Sequence, residues 1–323
     1  MTITVGIPRA LLYYYYYPAW RAFFAELGVE TVLSPASNKG ILTEGIRHAV
    51  DDICLPVKMA FGHVISLAGK ADYILMPRMV SVAKREYICP KFLGLPDLVR
   101  RLPGIPPLID VHIDLYKGKH GLYNAAKEAG SLFTGNGFKI WRAYRRAMLA
   151  LKNYFRLLEL GLLPEEAMAV MENRVMEAPH GSGNGLKLAV IGHPYNVYDR
   201  YISMDVLRKL RRMGASVLTA ENASEKDINR YASFLPKKLF WTLGRRMVGA
   251  AGYYMGRAGV DGMVYVAAFG CGPDSMTGEL IQREARARRI PFLNLNIDEH
   301  TGEAGVVTRL EAFLDMVRWR RCG

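Results

Sequence analysis

Cysteine is scarce in this chain, with four in 323 residues. None of them forms the Cys-x-x-Cys pair that a structural zinc site usually shows. The tight cysteine run of a ferredoxin is also missing. So few thiols, without paired spacing, exclude a disulfide-stapled secreted scaffold and fit a reducing, cytoplasmic compartment. No apolar run reaches the roughly 18–20 residues that span a bilayer. The opening stretch, Met1-Thr-Ile-Thr-Val-Gly-Ile-Pro, has neither the basic nor the long apolar part of a signal peptide. It reads as a first β-strand. A Walker-type Gly-x-x-x-x-Gly-Lys-Ser/Thr loop is absent too, so the chain does not read as an ATPase. Acidic residues are outnumbered 30 to 43, which leaves a formal net charge of +13.

A surplus of that size suits an anionic cofactor, nucleic acid or an acidic partner. The basic residues gather at Lys117–Lys119, Lys139–Arg146, Arg208–Arg212, Lys237–Arg246 and Arg283–Arg289. They are spread over several helix-like segments, with no zinc-finger or RNA-recognition signature beside them, which argues against nucleic acid. Half of the residues are hydrophobic and 23% charged, as in a soluble globular protein.

What is present repeats. Residues Ile3–Ser34 read strand, Gly6-Ile-Pro8, aromatic run, helix, Leu27-Gly28, strand. Residues Leu188–Thr219 read strand, Gly192-His-Pro194, tyrosine-containing loop, helix, Met213-Gly214, strand, with the same glycine-to-glycine spacing. Glycine after each first helix fits a left-handed C-cap. A further apolar strand follows in each half, at Ala71–Met76 and Val260–Val266. An Ile-Pro step then leads into another, over Ile105–Asp114 and Ile290–Asp298. Continuous Val/Ile/Leu runs are the mark of strands buried on both faces. The expected fold is α/β, with two Rossmann-like parallel-sheet domains related by an internal pseudo-repeat. The boundaries read 1–115 for the first domain, 116–184 for a helical connecting segment and linker, and 185–323 for the second. The helical segment is richest over Asn124–Met176, and Pro179–Gly185 has linker composition.

Ligands of open parallel sheets bind at the carboxyl ends of the strands. The loops expected there hold Gly6-Ile-Pro-Arg9, Pro77-Arg78, Gly192-His-Pro-Tyr-Asn196 and Ala268-Phe-Gly-Cys271. Three cysteines precede a proline by one or two residues: Cys54-Leu-Pro, Cys89-Pro and Cys271-Gly-Pro. Thiolates are soft ligands for iron–sulfur clusters, zinc and copper, and proline stiffens a ligand loop. Spacing alone favours three unrelated buried cysteines. Cys322, in a terminal Arg320-Arg-Cys-Gly, is a poor ligand candidate. His193 and Asn196 share one loop after a strand, where they line a cavity or donate protons, or else make a structural turn. Asp298-Glu-His-Thr-Gly-Glu303 is rich in metal-capable groups, yet Asp298 or Thr301 equally suits a helix cap. Five consecutive tyrosines, Tyr13–Tyr17, fit an aromatic core or an interface.

Six stretches together resemble a known family. They are Gly6-Ile-Pro-Arg-Ala-Leu-Leu-Tyr-Tyr, His48-Ala-Val-Asp-Asp-Ile-Cys-Leu-Pro-Val-Lys58, Glu86-Tyr-Ile-Cys-Pro-Lys-Phe-Leu-Gly-Leu-Pro96, Gly192-His-Pro-Tyr-Asn-Val-Tyr-Asp199, Gly270-Cys-Gly-Pro-Asp-Ser275 and Asp298-Glu-His-Thr-Gly-Glu-Ala-Gly305. The chain is similar, over nearly its whole length, to the acyl-CoA dehydratase activase-related proteins. These are relatives of the subunits of 2-hydroxyacyl-CoA dehydratases, benzoyl-CoA reductases and double-cubane-cluster proteins.

The resemblance implies a [4Fe–4S] cluster on Cys54, Cys89 and Cys271, with one iron open, or half of a double cubane completed at a subunit interface. It implies low-potential electrons from a separate ATP-dependent activase, and a homo- or hetero-oligomer with a related cluster subunit. It implies oxygen-sensitive reduction or dehydration of a small substrate such as an acyl-CoA. Under it, Lys58, Arg78, Asn196, Asp274 and Ser275 stand near the cofactor, and His193, Glu299, His300 and Glu303 are acid–base candidates. Two other readings stand beside this one: a non-catalytic electron-transfer or cluster-carrying subunit, and a mononuclear metalloenzyme built on Asp298–Glu303.

Overall fold

The computed structural model describes residues 3–118, 120–174, 185–233, 235 and 237–322. Lys119 and most of the linker stretch, 179–184, lie outside them, as does the side chain of Cys322. The chain divides into two compact units. The first holds residues 1–156 and 240–242, and the second 157–239 and 243–323.

The first unit opens with β1 (Thr4–Ile7), α1 (Tyr13–Leu27), β2 (Glu30–Leu33), α2 (Lys39–His48) and α3 (Leu55–Ile65). Strands β3 (Tyr73–Leu75) and β4 (Arg78–Ser81), α4 (Pro90–Val99), and β5 (Leu108–Ile109) and β6 (His112–Asp114) follow. Helix α5 (His120–Ser131) and the 23-residue α6 (Gly137–Glu159) come next, the latter running on to the start of the second unit. Four parallel strands lie in the order β2-β1-β3-β5. The third and fourth strands are each broken and resume as the parallel pair β4-β6. Pro77 causes one break, because it has no N–H to give the ladder. Met76 N and Arg78 N still reach Ile109 and Val111 carbonyls on either side of it.

The second unit contains α7 (Pro164–Met171), β7 (Lys187–Gly192), a single turn α8 (Pro194–Val197), α9 (Val206–Arg212) and β8 (Ser216–Thr219). After these come α10 (Glu225–Ala232), α11 (Thr242–Tyr253), β9 (Gly262–Ala268), α12 (Gly272–Ala287), β10 (Phe292–Ile297) and α13 (Glu303–Cys322). Its strands, all parallel, run β8-β7-β9-β10. Numbered within each unit, both sheets have the order 2-1-3-4. The repeat legible in the sequence is therefore a repeat of topology. All seven residues of β9 are buried, as a central strand covered on both faces requires. Gly28 caps α1 in the left-handed conformation (φ 74°), and Gly214 follows α9 at φ 86°. Of the five tyrosines, Tyr13, Tyr14, Tyr15 and Tyr17 are buried in the first unit. The phenol of Tyr154 donates to the Tyr14 carbonyl at 2.6 Å, so the aromatic run is core. Among the described residues no helix is long and apolar enough to cross a membrane.

Helices α2 and α3 pack at backbone contact. A Cβ on Gly45 would stand 1.8 Å from the Lys58 carbonyl oxygen, and one on Gly62 would stand 1.9 Å from that of Ile41. Both obstacles are backbone, which cannot swing away. We therefore expect Gly45→Ala and Gly62→Ala each to destabilise the first unit by about 3 kcal/mol or more, read as a lower denaturant midpoint. Gly94→Ala is the control. It lies within α4 with open space around its Cβ, and should gain about 0.5–1 kcal/mol.

One titration is also built into the first unit. His63 on α3 is fully buried. Its Nδ1 meets Ser34 Oγ and its Nε2 meets Ser37 Oγ, both at 2.9 Å. Ser34 Oγ already accepts from Arg9 N at 2.8 Å, so its own proton is free for Nδ1. Burial, with the Arg9 charge second, lowers the His63 pKa to about 4. The unfolded chain takes up this proton near pH 6.5 and the folded one only near 4. Stability from this group is thus complete above pH 6.5 and is lost as pH falls through 6 to 4, by about 3 kcal/mol in all. A His63→Gln variant should show a flatter stability profile across that window.

Candidate active-site edge of the second unit

Strand order reverses direction between β7 and β9, and at such a switch point the loops leaving the two strands part to form a crevice. Beyond β7 the chain reads Gly192-His193-Pro194. Proline cannot continue the ladder but fits the first position of a helix, and His193 becomes the N-cap of α8. Beyond β9 the chain turns at Gly270 (φ 75°), a conformation glycine adopts without strain. Cys271 is then the N-cap of α12, with Pro273 in the first turn. A Cβ on Gly278 would stand 2.7 Å from the Tyr265 ring. Its absence lets α12 lie close on β9, which brings Asp274 over the strand end.

Asp274 is completely buried and is held from four directions. Its Oδ2 accepts from the Ala268 N–H at 3.1 Å and from Asn196 Nδ2 at 2.9 Å. Its Oδ1 lies 3.3 Å from His193 Nε2 and 3.4 Å from the phenol of Tyr265. That phenol also donates to the Asp274 carbonyl at 2.9 Å. Burial, and then the charges of Asp274 and Cys271, push the Tyr265 hydroxyl well above its usual pKa, so it is a fixed donor. A carboxylate accepts only, so the His193 nitrogen facing it carries the proton. His193 Nδ1 and Asn196 Oδ1 are buried without a hydrogen-bond partner. One ligand atom each from His193, Cys271 and Asp274 lies within 4.8 Å of the other two, a group able to hold a metal ion.

Of the expected site residues, His193, Asn196, Cys271 and Asp274 meet here. Ser275 joins them through its N–H and Oγ, both 3.1 Å from the Cys271 carbonyl oxygen. The Asp298–Glu303 loop opens with a local turn. Asp298 Oδ1 accepts from Thr301 Oγ1 at 2.7 Å and from the His300 N–H at 3.0 Å. Those bonds, the Thr301 hydroxyl first, lower the Asp298 pKa. His300 is exposed and Glu299 half-buried. Glu303 is exposed and bound by Lys209 Nζ at 2.6 Å, which holds its carboxyl below the usual range.

In the first unit Cys54 and Cys89 are the N-caps of α3 and α4, again with proline in the first turn. Cys54 is buried and Cys89 half-buried, and neither is in a disulfide. Lys58 is buried one turn along α3 from Cys54. Arg78 forms a bidentate pair with Asp97, at 2.6 and 2.8 Å. Two residues the sequence did not single out are Tyr265 and Gly278. A lone tyrosine within a strand and a lone glycine within a helix carry no local signal of their meeting.

Asp274→Ala would leave the Ala268 N–H, the Asn196 amide and His193 without their buried acceptor, while the Tyr265 hydroxyl keeps the backbone carbonyl of residue 274. We expect a loss of about 3–5 kcal/mol in the second unit. Tyr265→Phe, which removes one donor, should cost only about 1 kcal/mol. Denaturant titrations of the two variants against the parent protein measure both.

Comparison with known proteins gives the family. The model described as CoA enzyme activase uncharacterised domain matches residues 4–222. That of the 2-hydroxyglutaryl-CoA dehydratase D-component matches residues 165–317, which include the whole His193–Cys271–Asp274 group. No curated protein matches the chain. Since the first match covers well over half of the chain, this protein belongs to the CoA enzyme activase uncharacterised domain family, as its motifs lead one to expect, and its second half is similar to a 2-hydroxyglutaryl-CoA dehydratase component.

Proposed function

We propose that this chain is the electron-accepting, cluster-bearing component of a 2-hydroxyacyl-CoA dehydratase-type system. In it Cys54, Cys89 and Cys271 hold one [4Fe–4S] cluster, and a separate ATP-dependent activase supplies the electrons. The observation that carries this reading is shared by the three cysteines. Each is the N-cap of a helix of ten residues or more, and each has proline in the following turn. The amide N–H groups of a first turn have no partner within the helix, and the helix dipole there favours negative charge. A metal-bound thiolate is such a charge, and proline holds its loop in one conformation. A zinc site of the usual kind would bring paired cysteines, which the chain lacks.

A cluster bound in this way supplies single low-potential electrons. The chain's own residues supply the rest. Burial of Cys54 and Cys271 keeps water from the sulfur. On this reading, first-turn amides beyond each cysteine would donate to its bound sulfur. His193 Nδ1 and Asn196 Oδ1 are buried without a partner, and a ring nitrogen of His193 lies within 4.8 Å of the Cys271 sulfur. The net charge of +13 suits the phosphates of a CoA thioester, the substrate class of the dehydratase component that the second half resembles. A related subunit in an oligomer, and a reducing compartment, complete the reading.

Iron and acid-labile sulfide per chain test it, on anaerobically purified and reconstituted protein. We expect about four of each, with Cys54→Ser, Cys89→Ser and Cys271→Ser each cutting the content at least by half. Little iron after reconstitution, or full iron in all three variants, sinks the assignment. Reduction by an activase and ATP, followed by electron paramagnetic resonance, then separates an electron acceptor from a structural metal site.

A further inference from the structure

We infer that His193 is a metal ligand through Nδ1, beside the Cys271 thiolate, and that Asp274 is its positioning residue and not itself a ligand. The protein has two almost fully buried histidines whose surroundings are described, His63 and His193. They are bonded in opposite ways. His63 is saturated, with a serine hydroxyl on each ring nitrogen. His193, 3% exposed, is bonded on one side only. Its Nε2 faces Asp274, and its Nδ1 is buried with no partner. With the proton fixed on Nε2, a neutral imidazole presents a bare lone pair at Nδ1. Leaving such an acceptor unpaired in the interior is costly unless something occupies it.

Asn196 narrows the kind of occupant. Its amide is oriented by the bond from Nδ2 to Asp274. Its Oδ1 therefore faces elsewhere, and it too is buried and unpaired. Two leftover acceptors three residues apart call for a cation or a hydrogen-bond donor. The Cys271 sulfur beside the His193 ring favours the cation. An ion bound to nitrogen at about 2.0 Å and to sulfur at about 2.3 Å needs those ligands roughly 3.5–4 Å apart, and a ring nitrogen of His193 lies within 4.8 Å of the Cys271 sulfur.

Asp274 completes the pattern. Both of its oxygens already accept from the Ala268 N–H, Asn196, Tyr265 and His193. A carboxylate spent in this way has little left for a metal. What it does is fix the tautomer and orientation of the imidazole, the arrangement by which a carboxylate commonly supports a ligating histidine. The inference rests on the proposed function only for the identity of the metal as an iron of the cluster. The His193–Cys271 pair stands as a metal site by itself.

The test uses cobalt(II) as a probe on metal-free, reduced protein. We expect tight binding with a thiolate-to-cobalt charge-transfer band. The band should be lost in Cys271→Ser. His193→Ala should weaken binding by a hundredfold or more, and Asp274→Asn by about 10–100-fold. His193→Gln, which keeps most of the side-chain volume, serves if the alanine variant unfolds and should be equally impaired. On iron-reconstituted, reduced protein, pulsed paramagnetic resonance should show an imidazole nitrogen coupling that is absent in the His193 variants. Cobalt affinity and spectrum unchanged in folded His193 variants overturn the inference. Cluster-level iron and sulfide without a nitrogen coupling also overturn it, and leave the proposed function standing. Cobalt held by His193 and Cys271 in a protein that never takes up a cluster does the reverse.

Discussion

The second unit is organised around one buried carboxylate. Asp274 has no contact with water, yet it collects a backbone N–H from the end of β9, an amide from the turn after β7, an imidazole and a phenol. A carboxylate brought into the interior is tolerated only when its lone pairs are taken up this completely. The constraint works in both directions. The donors make the buried charge affordable, and the charge fixes their geometry. Because those donors sit on β9 and at the helix start that follows the neighbouring strand β7, while Asp274 sits at a second helix start, the shape of the crevice follows from satisfying one side chain. Cys271, three residues before Asp274 at the same helix start, inherits its place from that network.

The parallel sheet explains why this happens at one edge. Both sheets have the same strand order, so each unit has a reversal point after its first strand. The polar groups near the two edges differ in kind. In the first unit, Ser34 and Ser37 take both ring nitrogens of His63, and Arg9 N donates to Ser34. The consequence is a histidine that resists protonation. In the second unit the network stops two acceptors short. A fold that repeats its topology has therefore placed a histidine with both ring nitrogens bonded near one edge and a histidine with one unpartnered ring nitrogen at the other.

Much of this was legible in the sequence, and the reasons differ from residue to residue. The two glycines placed alike after apolar runs, Gly28 and Gly214, gave away the repeat because only a left-handed turn puts glycine there so regularly. Continuous apolar runs gave the buried strands, and the triplets Gly6-Ile-Pro8 and Gly192-His-Pro194 gave the strand ends. His193 and Asn196 stand out for their place in a loop after a strand, and Asp274 and Ser275 for following Cys271-Gly-Pro; His193 and Asn196 both meet Asp274. What stayed hidden was bonding order. No local pattern shows that Asp274 points back to the strand end and not into solvent as an N-terminal cap. Nor does any show that Tyr265, inside an apolar strand, reserves its hydroxyl for it. The Asp298–Glu303 stretch carries four groups with chemical potential, and composition alone could not show that Asp298 and Thr301 satisfy each other or that Lys209 takes Glu303. The break in the third strand of the first unit was readable from Pro77. Its resumption at Arg78 depends on a neighbouring strand broken in register with it.

The three helix starts bear on how a basic protein would manage an iron–sulfur group. A cluster with thiolate ligands carries net negative charge, and its potential rises with every hydrogen bond to sulfur and with every nearby positive charge. The net charge of +13 is much too diffuse to act alone, since exposed charges beyond about 8–10 Å are screened. Many of the described arginines are also engaged by carboxylates, as Arg78 is by Asp97 and Asp110. The local term must then come from the backbone. Each cysteine stands at a helix N-cap, where the positive end of the helix dipole acts at fixed distance and without the entropy of a long cationic side chain. Proline in the first turn removes one donor but fixes the directions of the others. On the proposed reading the polypeptide tunes its cofactor mainly with peptide dipoles, and the basic surface is left free to attract anionic substrate or partner.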